Sequence, residues 1–269
     1  MAVFPPHLCL GVLLCFALPF GACRRRVNRE KQFAAEEAFV RAIDEQAGPH
    51  DAGVWQRAVG DFDQAIALNP EEAKYFYYRG KAQDLQGNLD AAAADYTQAL
   101  KLNKDWLEVY YWRGNVYYRQ QKWAAALGDY RHSAAPNPKY LGLSFEHAYF
   151  WIIRARTGEK AAADQELAAY IEPYRPKYQT PAWELIVPDF LLGKITEQDF
   201  LVSANTLDLG QAGFLACQAC YFVGVKRLLA GDKDGAAVAF RRSLTPDVFP
   251  ESAFAIAELN ALGQSPAAK

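Results

Sequence analysis

Small and aromatic residues recur along this chain at intervals that suit paired helices. The triplet Gly80, Ala92, Tyr96 returns as Gly114, Ala126, Tyr130 and, far downstream, as Gly224, Ala236, Phe240, each time with the same spacing of twelve and four. Each position has a packing reason. A glycine on a first helix lets a second approach closely, a small residue midway along the second returns the favour, and an aromatic four residues later fills the groove between them. Aligning residues 73–104 with 107–138, an offset of 34, gives nine identities in thirty-two pairs, where composition alone would give about two. Arg79 with Arg113, Asp95 with Asp129 and Tyr77 with Tyr111 are among them. The pattern predicts hairpins of a helix A and a helix B, repeated every 34 residues.

A half-match at Ala58, Phe62, Ala65 and Pro70 predicts helix B of an earlier unit, whose helix A carries Gly48 and Pro49 near its end and is irregular. After Pro138 the triplet fades but helical signals persist. Residues 145–157, closed by Gly158, and 160–171 read as a degenerate hairpin. Pro173, Pro176, Pro181 and Pro188 then divide the chain into short pieces, with helices predicted over 183–192 and over 196–203, the latter opened by Thr196. A final helix over 251–262 is expected to cover the apolar face of the last hairpin. The fold class read from this pattern is all-α, a superhelix of hairpins with a Pro-broken helical insert, one detached C-terminal repeat and a capping helix.

The period and the Gly–Ala–aromatic triplet resemble the tetratricopeptide repeat (TPR), and the whole arrangement resembles the NlpI-type lipoproteins of the bacterial envelope. The segments that carry the second resemblance are Trp183-Glu184-Leu185-Ile186-Val187, Phe190 to Gln198, Tyr221-Phe222-Val223-Gly224 and Ala230-Gly231-Asp232. It implies a dimeric, non-catalytic adaptor that brings peptidoglycan hydrolases to an envelope protease or to synthesis complexes. A structural, self-associating subunit of an envelope or outer-membrane assembly is the alternative.

Composition agrees with helices: the chain is rich in alanine, 14% aromatic and has a single methionine. A net charge of −2 gives no attraction to phosphate, so nucleic acid is not an expected partner. The stretch from Met1 to Ala22 has no charged side chain apart from the titratable His7, and its apolar run, 8–20, is shorter than the ~20 residues a bilayer span needs. It ends in Leu18-Pro19-Phe20-Gly21-Ala22-Cys23, which resembles a lipobox; that resemblance implies cleavage before Cys23, lipid on Cys23 and a body in the periplasm. Arg24-Arg25-Arg26 supports an alternative, an uncleaved N-terminal anchor with a cytoplasmic body; a misplaced start is a third. The expected organisation is a signal peptide over 1–22, a tether and irregular first helix over 23–50, regular repeats over 51–138, the degenerate repeat and insert over 139–210, and the last repeat with its capping helix over 211–264.

In a stack of this kind the inner faces of the A helices form a groove. Its expected protein-binding residues are Tyr77, Lys81, Asp84, Tyr111, Asn115, Tyr118 and Arg119, an aromatic strip flanked by mixed charge and suited to an extended or helical peptide. The competing reading packs some of these tyrosines against the next repeat. No motif for phosphate binding, zinc proteolysis or serine hydrolysis is present, and the histidines left after cleavage, His50, His132 and His147, lack metal-ligand spacing. No catalytic residue, metal or cofactor is expected. Cys217 and Cys220 could form a redox pair or half a zinc site, but with no second half they read as two small residues one turn apart.

Overall fold

A computed structural model of the chain describes residues 53–134, 146–178, 182–207, 213–244 and 250–264, residue 266, and helical positions 33, 34, 36, 37 and 39–41. The described residues are helical with connecting turns and contain no strand. None of their helices is long and apolar enough to cross a membrane. They group into two compact units, divided in the sequence between Asp105 and Trp106, inside the run of regular repeats.

The first unit contains α1 (Val54–Leu68), α2 (Ala73–Leu85) and α3 (Leu89–Leu102). α1 buries Ala58, Phe62 and Ala65, a single stripe at helical spacing, and it ends ahead of Pro70, whose ring disfavours helix in the residue before it. Phe39, on the helical positions before α1, packs its ring 6.0 Å from Phe62 and 5.4 Å from Tyr75. Glu36 beside it accepts from Lys74 Nζ at 2.9 Å and from the Tyr75 hydroxyl at 3.1 Å. This is the place of a helix A partnering α1, although Gly48 and Pro49, expected near its end, lie outside the described residues. α2 and α3 form the first regular hairpin, and its turn is a glycine-based helix stop. Gly87 adopts φ +79°, and Asn88 N–H reaches back to the Gln83 carbonyl at 2.9 Å.

The second unit opens with the next regular hairpin, α4 (Leu107–Arg119) and α5 (Trp123–Ser133), and continues with the degenerate one, α6 (Glu146–Arg156) and α7 (Lys160–Ile171). A 3₁₀ helix, Glu172–Lys177, holds Pro173 and Pro176. Then come α8 (Trp183–Leu191), α9 (Glu197–Leu207), the detached hairpin of α10 (Phe214–Leu229) and α11 (Lys233–Arg242), and α12 (Pro250–Ala261). Pro188 sits inside α8 rather than ending it. α9 runs four residues beyond its expected end, and Thr196 caps it, accepting from Asp199 N–H at 3.1 Å.

The insert is docked, not a tether. The Phe200 ring of α9 stacks on Phe190 and Trp183 of α8 at 4.1 and 5.1 Å. Lys226 of α10 donates to the Phe190 carbonyl at 2.6 Å, and Arg227 pairs with Glu197 at 2.5 Å. One continuous core joins α4 to α12, with Trp151, Phe200, Phe222 and Phe254 fully buried.

Candidate protein-binding face

The hairpins are closed in the way the triplet predicts. A Cβ on Gly80 would stand 2.9 Å from the Tyr96 ring, one on Gly114 2.9 Å from Tyr130, and one on Gly224 2.5 Å from Phe240. Ala92, Ala126 and Ala236 are all fully buried. In the two regular hairpins an ion pair ties A to B. Arg79 grips both oxygens of Asp95 at 2.8 and 2.6 Å, and Arg113 grips Asp129 at 2.8 Å twice. Both pairs are part-buried, and the fork of the guanidinium matches the carboxylate with two parallel bonds. Burial pushes the Asp95 carboxyl up, against the pull of Arg79. The two arginines, each beside a packing glycine, are structural ties.

The expected groove residues divide into two kinds. In the first unit Tyr77 is 2% exposed, its ring against Tyr78 and Tyr96 at 4.9 and 6.1 Å. Lys81, half-buried, sets its ammonium 5.6 Å from the Tyr77 ring, and Asp84 is half-buried one turn further on. In the second unit Tyr111 and Arg119 are half-buried, while Asn115 and Tyr118 are 3% and 1% exposed. Asn115 Oδ1 accepts from the Tyr130 hydroxyl at 2.8 Å, and the Tyr118 hydroxyl lies 2.6 Å from that of Tyr221. Burial drives the Tyr118 phenol far above its ordinary range, and likewise Tyr111, where Glu251 adds to the effect. Tyr77, Asn115 and Tyr118 therefore lie in the core and offer no surface to a partner in this conformation; Lys81, Asp84, Tyr111 and Arg119 are partly accessible. Cys23, the expected lipidation site, lies outside the described residues.

What covers Tyr118 is the chain's own last helix. α12 packs on α4, α10 and α11, so it does more than cap the detached hairpin. Phe254 sits between the rings of Tyr118, Tyr149 and Tyr221 at 4.6, 5.5 and 5.8 Å. At one end of Phe254, Glu251 Oε1 accepts from the Tyr149 hydroxyl at 2.7 Å and from Gln218 Nε2 at 2.9 Å; Gln218 is itself held by the Trp183 indole N–H at 2.8 Å. At the other end, Arg156 meets Glu258 at 2.7 Å. Burial raises both carboxyls, with Tyr149 and Gln218 opposing it at Glu251 and Arg156 opposing it at Glu258. Arg156 also stacks over Trp123 at 5.1 Å, and its charge is held firm by Tyr118 and Glu258 despite burial.

Sequence reasoning missed Arg156, Gln218, Glu251 and Glu258. A signal for the two acids was present in the spacing of Glu251, Phe254, Ala255, Glu258 and Leu259, which puts them on the apolar stripe of a helix; Arg156 and Gln218, on other helices, had none. Cys217 and Cys220 are not joined in a disulfide, and Cys217 donates to the Ser243 carbonyl at 2.7 Å. Among the described residues no cluster of His, Cys, Asp and Glu could hold a metal ion.

Comparison with known proteins identifies the repeats. Residues 51–105 match the tetratricopeptide repeat family and residues 85–132 match the TPR repeat family. No curated protein matches the chain. Among solved structures, the chain is similar to a tetratricopeptide repeat protein from Parabacteroides merdae, with 15% identity and a TM-score of 0.49 over 87% of this chain and 100% of that one. It is also similar to MamA, at 14% identity and a TM-score of 0.44 over 81% and 90%, and to YrrB, described as a TPR protein with an unusual peptide-binding site, at 18% and 0.38 over 71% and 95%. Likeness at this level does not bear on function.

Proposed function

We infer that this chain, with tetratricopeptide repeats over residues 51–132, is a non-catalytic adaptor that holds other proteins at the bacterial cell envelope. The observation that carries the reading is that the A helices of the second unit already hold a helix: α12 lies against α4 and α10 and is gripped by side chains of α6. A face that orders one helix by rings, an arginine and an amide has the chemistry to order a partner's. By itself, the first unit presents Lys81 and Asp84 of α2, both partly accessible, as polar groups of both signs.

The envelope location rests on residues 1–23 of the sequence, whose apolar run, 8–20, is followed by the lipobox-like ending at Cys23. In this reading the lipid on Cys23 tethers the body in the periplasm, and the clients are peptidoglycan hydrolases or an envelope protease. Labelling cells with a lipid precursor tests the tether: signal in the unaltered chain and none in Cys23→Ala supports it, and equal labelling refutes it. In-cell crosslinking from the full chain tests the clients. Recovery of no cell-wall enzyme or envelope protease, while a control adaptor recovers its own partner, would sink the adaptor reading. Light scattering separates it from the self-associating subunit.

A further inference from the structure

A helix whose only task is to seal an apolar face needs no acids on its buried side. α12 buries two. Glu251 and Glu258 are 2% and 3% exposed, seven residues apart, on the same stripe as Phe254, Ala255 and Leu259, which are fully buried. Seven residues are two helical turns, so the acids bracket the aromatic ring. Taking a carboxylate out of water is costly where an apolar side chain would pack more cheaply. The cost is only partly offset: among the described residues Glu251 Oε2 has no hydrogen-bond partner, and neither has Arg156 Nε. What these groups do supply is register, because Arg156 and the pair of Tyr149 and Gln218 accept a helix only when its acids fall opposite them. The contacts that fix this register come from side chains of both partners, so a helix arriving from another molecule could make them equally well.

We propose that this seat on α4, α10 and α11, with the α6 side chains that grip it, is a docking site for an amphipathic helix of a partner protein bearing two carboxylates two turns apart with an aromatic residue between them, α12 being the occupant that the chain itself supplies. The proposal deepens the adaptor reading and rests on it. A partner helix competes with α12, so its apparent affinity is lowered by the fraction of chains in which α12 is seated.

The test uses the full chain and a fluorescein-labelled peptide of residues 250–262. Glu258→Lys in the chain sets an ammonium against Arg156 and unseats α12 while leaving the seat intact. Anisotropy titration is expected to show the peptide binding the Glu258→Lys chain at least about tenfold more tightly than the unaltered chain. A peptide carrying the same Glu258→Lys change is expected to lose that binding. Equal binding of the two peptides, or no binding to a variant chain that circular dichroism shows to be helical, overturns the proposal. If the variant does not fold, hydrogen exchange on the unaltered chain decides. Amides of α12 exchanging well before those of α10 support a seat that empties; exchange of both together overturns it. Partners crosslinked elsewhere on the chain, with the peptide failing, would remove the seat and leave the adaptor reading standing.

Discussion

The hairpin α4–α5 and the hairpin α10–α11 share a backbone plan and hold it by opposite chemistry. Where the first has Arg113 paired with Asp129, the second has Val223 and Ala239, 3% and 5% exposed. Where the first has the Tyr130 hydroxyl bonded to Asn115, the second has Phe240 and Val225, both fully buried. The glycine and the small residue are common to both. Close approach of the two helices is thus set by Gly114 or Gly224, and what surrounds that contact can be a matched polar pair or a matched apolar one. A mixed pair is what the geometry forbids, since a lone buried carboxylate or hydroxyl loses water and gains nothing. The apolar version suits the detached hairpin, which is embedded between the insert and α12.

The sharpest way to break this equivalence is to remove half of one pair. Arg113→Ala leaves Asp129, whose side chain is 7% exposed, without its cation, and is expected to cost about 3 kcal/mol in urea unfolding. The double change Arg113→Val with Asp129→Ala copies the detached hairpin and is expected to recover all but about 1 kcal/mol; a double variant no better than the single would refute the equivalence. Next in size is the shared glycine. Gly224→Ala is expected to cost about 2–3 kcal/mol and Gly114→Ala less, because the added methyl meets Phe240 at 2.5 Å and Tyr130 at 2.9 Å. The reverse order in thermal unfolding would show that the tyrosine yields less readily than the phenylalanine.

Tyr130→Phe should cost about 1 kcal/mol by stranding Asn115, and adding Asn115→Val should return much of it, again toward the detached pattern. The smallest effect has the opposite sign. Gln121 takes φ +57° at the turn where the other hairpins place Gly87 and Gly231, at +79° and +86°. Gln121→Gly relieves a left-handed conformation that costs a side-chain-bearing residue roughly 1 kcal/mol, and is expected to raise the unfolding midpoint slightly. No change, or a fall, would mean that the glutamine side chain makes contacts worth more than the strain.

The repeats were legible because their information is local. A glycine opposite an aromatic can be read from a single hairpin and a period of 34 from two successive ones, and hairpins are built from neighbours in sequence; the recurring Arg and Asp were seen, but not that they pair. The helix end at Gly158 was legible for the same reason, the glycine taking the positive φ of a helix stop. The partner face was legible only in part. The A-helix positions were found, but their exposure was not, since whether Tyr118 meets water depends on a helix more than a hundred residues away.

The amino-acid sequence by itself determined that this chain is all-α, where its hairpins begin and end, and which residues pack A against B, because helix periodicity and close packing are set by spacings of a few residues. The tertiary structure alone decided that α12 lies on α4, α10 and α11 and is gripped by side chains of α6, that Tyr118 and Asn115 turn inward, and that Glu251 and Glu258 are buried. Two acids on a helix read as a solvated face until the residues that receive them, Tyr149, Arg156 and Gln218, are brought from other helices to the same place.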